Sequence, residues 1–400
     1  MDIKEKIQQK AETYYQEVVD IRRYLHQYPE LSFEEIETGK FIAQQLSSYQ
    51  IEHQHGWAEN GVVALIQGKN PEKKTIALRA DIDALPILEA NDLLYTSKHV
   101  GKMHACGHDV HTASLLGVAK ILNDLKDHFE GQVKLIFQPA EEKAPGGASI
   151  LIREGVLQNP APASIIGQHV HPPLEVGKVG MKAGKYMAST DELFVKVRGK
   201  GGHGALPQDC IDPILIASHL IVALQQIVSR NADPTMPSVL TFGKINSSGG
   251  ANNVIPNEVN LLGTFRTMDE TWRYEAHRRM KKMATSLAEG MGGVCEFDIL
   301  VGYPYLVNDE ALTHKVRHYA TQYLGKENVV DLPIRMTGED FAFYSHHIPA
   351  CFYRLGVGNP AQGITSALHT DTFNVDESCL QYSIGLMSWL AICELEGSKL

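Results

Sequence analysis

The hydrophobic pattern changes period along the chain. Near the N-terminus, "FEEIETGKFIAQQLSSY" repeats apolar residues at helical spacing. Short apolar runs follow: "GVVALIQG", "TIALRAD", "GQVKLIFQPAEE" and "ASIIGQHVHP", mostly β-branched or Leu. Runs of this length between helical segments suit buried strands of an α/β sheet. "GGASILIREGVL" predicts the helix between the last two.

Near residue 185 the pattern shifts. "DELFVKVRGKG" alternates polar and apolar positions, as a strand with one wet face does. "IDPILIASHLIVALQQIVSR" predicts a helix with Asp212 at its N-cap and Pro213 at its first position. "SVLTFGKINS" and "NEVNLLGTFRT" predict two strands, "DETWRYEAHRRMKKMATSLAEGMG" a second helix, and "CEFDILVGYP" a last strand. The order β-α-β-β-α-β is the split βαβ pattern of a ferredoxin-like domain. Residues 185–300 therefore predict an inserted α+β domain. Residues 1–184 and 301–400 predict a discontinuous α/β domain, a mostly parallel sheet flanked by helices. Its last part carries "VVDLPIRM", "ACFYRLGV" and a final helix in "VDESCLQYSIGLMSWLAICELE".

Composition narrows the function classes. The 400 residues are 44% hydrophobic and 21% charged, as in an ordinary globular protein. A formal charge of −10 argues against nucleic acid or an anionic membrane as partner. The charged N-terminus lacks a signal-peptide core, and no apolar run reads as long enough to span a bilayer. Six cysteines, at 106, 210, 295, 351, 379 and 393, form no short-spaced framework. That usage fits reduced thiols, and a cytoplasmic location is expected.

The polar residues with chemical potential gather where strands are predicted to end. Asp81 and Asp83 follow "TIALR", Glu141 and Glu142 follow "VKLIFQPA", and His169 and His171 follow "ASIIGQ". Ligands bind at that edge of open α/β sheets. In "MHACGHDVHTA", Cys106 and His108 lie two apart, so on extended backbone both can face one ion. Sulfur, imidazole nitrogen and carboxylate oxygen are ordinary zinc ligands. Taken alone, this motif reads more often as a buried cysteine among solvated histidines; the neighbouring strand-end groups reverse that weighting. Asp109 is placed to cap the following helix, and His104 and His111 read as supporting residues. Adjacent glutamates point to opposite sides of an extended chain, so Glu141 and Glu142 can divide proton transfer and metal binding. Asp83 could orient a ligating imidazole or bridge two ions, and Arg79 is as well placed to pair with an acid as to touch substrate. His369 in "SALHTDTF", His203 in "GKGGHGALP" and Asn252 and Asn253 in "SGGANNVIP" are further polar candidates.

Taken in order, "YLHQYPELSFEE", "RADIDALPI", "MHACGHDVHTA", "FQPAEE", "GQHVHP", "GKGGHGALP", "ANNVIP", "GTFRT", "MTGEDFAFY" and "LHTDTF" make the chain resemble the M20 metallopeptidases. Within them it is similar to the amidohydrolase branch of aminoacylases, hippurate hydrolases and auxin-conjugate hydrolases. The resemblance implies a catalytic domain with an inserted lid that also mediates homodimerisation. It implies two divalent ions held by Cys106, His108, Glu142, His169 and His369, with zinc, manganese, cobalt and nickel all open. Glu141 matches the family's general acid/base and Asp83 joins it as a catalytic candidate. His203 matches the lid histidine that serves the neighbouring subunit's site. Asn253, Arg266 and Gly338 match substrate-contact positions. Where peptidase branches carry a histidine ligand, this chain has Asp81. The implied reaction is hydrolysis of small N-acyl-L-amino acids, with a metallo-dipeptidase activity as the alternative.

Overall fold

The computed structural model describes residues 2–397. The chain divides into two compact units, Met1–Gly184 with Val307–Pro333 and Asp340–Leu400, and Lys185–Leu306 with Ile334–Glu339. The second unit thus ends beyond residue 300 and takes in a short later segment. Backbone contacts explain that segment: Ala188 N–H donates to the carbonyls of Arg335 and Thr337.

In the first unit the strands are β1 (Glu52–Trp57), β2 (Gly61–Gln67), β3 (Thr75–Asp81), β4 (Gln132–Gln138), β5 (Ile165–Glu175), β6 (Val179–Met181), β7 (Val329–Asp331) and β8 (Ala350–Gly358). They form one sheet in the order β1-β2-β4-β3-β5-β8-β6-β7. The central neighbours β4, β3, β5 and β8 run parallel. β3 and β4 are buried along their whole length, which is why they read as continuous apolar runs.

The first unit's helices of seven or more residues are α1 (Ile3–Gln27), α2 (Ile36–Ser48), α3 (His108–Asp124), α4 (Gly147–Arg153), α5 (Glu310–Leu324) and α6 (Cys379–Glu396). α1 begins with a capping box, Asp2 and Glu5 each accepting the other's backbone N–H. α3 packs on β3 and β5, with α1 and α6 against it. Burial on both sides leaves α3 and α6 with almost no polar face.

The parallel register brings chemistry to one edge. Asp81 pairs with Gln138, and Arg79 pairs with Gly167. Asp81 ends β3, and His169 lies on β5 two residues beyond the last residue paired with β3. The loops after β3 and β4 therefore leave the sheet side by side, next to the part of β5 that carries His169.

The second unit is a four-stranded antiparallel sheet ordered Ser238–Ser247, Glu258–Thr267, Asp191–Arg198, Val294–Val301. The helices Pro213–Leu224 and Glu270–Gly290 pack on it around Val195, Val197, Leu220, Leu261, Phe265 and Met280. This is the ferredoxin-like arrangement. Asp212 caps the first helix by accepting from Ile214 N–H and Leu215 N–H, with Pro213 at the first position.

One point corrects the sequence reading. The 19-residue segment Pro213–Asn231 reaches a mean hydropathy of 1.3 over 18 residues, long and apolar enough by composition to cross a membrane. Its buried residues Ile216, Leu220, Leu224 and Ile227 pack into the unit's own core, so one apolar face is already used.

Asp191 is the buried polar centre of this unit. It accepts from Arg273 at 2.6 Å and from His277 Nε2 at 2.7 Å. Removing one partner of a buried ion pair strands the other, at about 3–5 kcal/mol. Asp191→Asn is therefore expected to lower the urea midpoint of this unit by an amount worth about 3 kcal/mol.

Candidate metal centre

Three loops and the strand β5 supply the donor atoms. The first precedes α3, whose N-terminal residue is His108. Gly107 there has φ +80°, and a Cβ on it would lie 2.5 Å from Val170 Cγ2. Only glycine satisfies both the left-handed backbone and that approach. The second loop leaves β4 through Ala140, φ +53°, into Glu141 and Glu142. β5 supplies His169, and His369 comes from the loop before α6 with φ +62°. Left-handed backbone costs a non-glycine residue about 1–3 kcal/mol and collects where function over-determines geometry.

These loops bring together Cys106, His108 and His169; Cys106, Glu142 and His369; and His108, Glu141 and Glu142. Within each group the ligand atoms lie within 4.8 Å of one another. Cys106 Sγ is 3.3 Å from His169 Nε2 and 3.3 Å from His369 Nε2. Glu142 Oε1 is 3.3 Å from His369 Nε2. Cys106 belongs to two groups, so the donors surround two adjoining positions rather than one.

The imidazoles are aimed by hydrogen bonds at their far nitrogens. His108 Nδ1 donates to the Asp83 carbonyl at 2.9 Å and sits 3.1 Å from Asp83 Oδ1, leaving Nε2 as the donor atom. His169 Nδ1 donates to the Val170 carbonyl at 2.8 Å, turning Nε2 toward Cys106. Such carboxylate or carbonyl partners are what ligating histidines use.

Two observations test whether a cation fits. His108 Nε2 and Glu142 Oε1 are buried without a hydrogen-bond partner. The charge balance also calls for a positive ion. Burial opposes an imidazolium at His108, yet the carboxylates of Asp81 and Asp83 push it up to about 10. Burial, then Glu142, Glu141 and Asp81, keep the Cys106 thiol well above its usual range. Burial, then Arg354, hold His169 well below its usual range, as a neutral donor. The mixed S, N and O set suits a borderline or soft divalent ion, and two such ions fit the shared groups.

The remaining candidates fall as follows. Asp83 Oδ2 accepts from Ser32 Oγ at 2.6 Å and Glu142 N–H at 2.9 Å. Its oxygens are committed to orienting neighbours, which fits it poorly as a proton carrier. His111 accepts Val170 N–H at Nε2 and so donates from Nδ1 to Asp81 at 2.5 Å; it supports β5. His104 is buried with no partner at either nitrogen, and burial lowers it to about 4. Asp109 does not cap α3. It accepts from Arg22 Nε and His26 Nδ1, each at 2.8 Å, because α1 brings a buried guanidinium that needs an anion more than the helix end does. Arg79 pairs with Asp81 at 2.6 Å and Asp340 at 2.7 Å.

His203, Asn253, Arg266 and Gly338 belong to the second unit. His203 lies exposed on a short two-stranded antiparallel pairing opposite Val254 and accepts Ala205 N–H at Nδ1, so a neutral ring carries its proton on Nε2. Asn253 adjoins that pairing and accepts Gly204 N–H at its carbonyl. Arg266 is on the strand Glu258–Thr267, and a Cβ on Gly338 would lie 3.2 Å from its Nη1. Sequence reasoning gave no role to Glu35 or Asp340. Both lie in segments quoted for the resemblance, and no local pattern marks them.

Residues 77–390 match the model of peptidase family M20/M25/M40. The chain belongs to this family. It is 44% identical over 364 residues to an N-acetyl-L-cysteine deacetylase of Bacillus subtilis, covering 91% of this chain and 85% of the relative. It is 41% identical to an N-acyl-L-amino acid amidohydrolase of Geobacillus stearothermophilus, covering 76% of this chain and 81% of that one. Among solved structures, the Bacillus subtilis YxeP protein, described as a dinuclear metal binding peptidase of the M20 family, aligns with a TM-score of 0.80 at 35% identity. That alignment covers 96% of this chain and 99% of YxeP.

Two outcomes are expected of the M20 site. Cys106→Ser should fold but lose metal at least about tenfold more readily on dialysis, read by elemental analysis. Chelator-treated protein should lose stability as pH rises from about 6.5 toward 10. His108 is raised to about 10, so its contribution is full below the unfolded value and disappears through the folded one. Melting temperatures at pH 7 and 9.5 read this, and His108→Gln should flatten the difference.

Proposed function

We propose that this M20 chain is a metal-dependent amidohydrolase that cleaves N-acyl-L-amino acids into a carboxylic acid and a free amino acid. The observation that carries the reading is Glu141 placed within 4.8 Å of the donor atoms of His108 and Glu142, beside the Cys106, His169 and His369 groups. The deacetylase and amidohydrolase relatives support the substrate class. Cys106, His108, Glu142, His169 and His369 would hold two divalent ions of zinc, manganese, cobalt or nickel. Bound there, the ions supply Lewis acidity toward the scissile carbonyl and toward water.

The chain's own residues then divide the work. The Glu141 carboxylate takes a proton from the attacking water as its oxygen joins the acyl carbon. It returns that proton to the leaving nitrogen as the C–N bond breaks. Asp340 N–H donates to Glu141 Oε1 at 3.3 Å and helps fix it for both transfers. Asp83 keeps His108 Nδ1 engaged and its Nε2 turned outward. Arg266 offers a cation for the substrate carboxylate, with Asn253 and Gly338 as further contacts. His203, with Nε2–H exposed, would polarise the carbonyl in the neighbouring subunit's site.

That last role belongs with a homodimer formed through the second unit. Exposed Ile214, Leu215 and Val222 on one of its helices, and the edge strand Ser238–Ser247, support this assembly. A cytoplasmic location is proposed with it, supported by six unpaired cysteines. Sedimentation should give twice the chain mass.

Glu141→Gln is expected to lower kcat about 10²–10⁴-fold with metal content unchanged. Retained activity in that metal-loaded variant would remove Glu141 from its role. A panel of N-acyl amino acids and matched dipeptides, run with each metal, should favour the acyl substrates; preference for the dipeptides would replace this reading with a dipeptidase.

A further inference from the structure

The turn that carries Glu141 is held from outside. After β4 the chain enters left-handed backbone at Ala140, φ +53°. Ala140 is fully buried, so its N–H has no access to solvent. That N–H donates to Glu35 Oε1 at 2.7 Å. On the other side of Glu141, the Glu142 N–H donates to Asp83 Oδ2 at 2.9 Å. Two carboxylates from distant segments therefore grip the Pro139–Ala140 and Glu141–Glu142 peptide groups, one before and one after Glu141.

Glu35 is costly to keep there. It is fully buried, and burial together with the nearby Asp83 carboxylate pushes it up to about 7. It stands at the N-cap position of α2 but makes no side-chain cap bond, so helix capping does not explain it. Its second oxygen accepts Asn60 Nδ2 at 3.3 Å, and the same amide donates to the Phe33 carbonyl at 3.2 Å. Phe33 itself has φ +69°. One strained turn thus presents a fixed acceptor to another.

We propose that Glu35 is a positioning residue for Glu141: its Oε1 fixes the Ala140 peptide, and hence the direction in which the Glu141 carboxylate leaves the turn. This rests on the reading of Glu141 as the proton carrier. A carboxylate displaced by a fraction of an ångström still leaves substrate binding intact but misses the proton-transfer geometry. The effect therefore falls on kcat.

Two variants separate reach from charge. Glu35→Gln keeps an oxygen at the same reach and loses the charge. Glu35→Asp keeps the charge and withdraws the oxygen by one methylene; aspartate is also a favoured N-cap residue, so α2 should still form. Expected for Glu35→Gln is kcat within about threefold of the parent protein. Expected for Glu35→Asp is kcat about tenfold lower or more. KM should move less than about threefold in both, with bound metal unchanged. Parent-level kcat in Glu35→Asp, an equal fall in Glu35→Gln, or a loss that tracks metal content would overturn the proposal. Glu141→Gln is measured alongside. An active Glu141→Gln sinks the base assignment itself, whereas an inactive one beside a fully active Glu35→Asp sinks only the positioning role.

Discussion

A single guanidinium buried at the end of β3 is the charge on which the first unit's chemistry depends. Arg79 is fully buried, so its cost in lost hydration is recovered only through its partners. Its Nε donates to Gln138 at 2.9 Å, and its other nitrogens meet Asp81 and Asp340. Each partner carries a further arm of the site. Asp81 holds His111, which receives the N–H of Val170 beside His169. Asp340 takes Ala148 N–H and Gln138 Nε2 on its side chain and offers its own N–H to Glu141. Burial raises Asp340 to about 6 even with Arg79 and Gln138 beside it favouring the charged form.

The fold was legible where period and burial coincide. β3 and β4 lie inside the sheet, parallel to each other, and are buried along their whole length, so their sequences name them directly. The second unit was legible from its order of elements and from the Asp212-Pro213 start of its first helix. Less legible was where that unit ends. Its segment Ile334–Glu339 returns through backbone bonds to Ala188, which side-chain patterns do not record.

The donor residues were legible because each sits at a strand end or in a dense polar motif. The supports were not. Glu35 reaches Ala140 across 105 positions, and Arg79 reaches Asp340 across 261. No periodicity carries information over such distances. Asp109 misled for the same reason: its place at the start of α3 suits a cap, and only the packing of α1 reveals the buried Arg22 that claims it.

Gly107 has a consequence for which ions the site can accept. Its missing side chain lets Val170 and Phe373 close over the turn, where an added Cβ would lie 2.5 and 3.5 Å from them. Cys106 and His108 flank that glycine, and His169 flanks Val170. The apolar contact therefore acts as a gauge: it sets how closely the backbone carrying these three donor residues approaches. An ion that needed that backbone further apart would work against the close packing of α3 on β5.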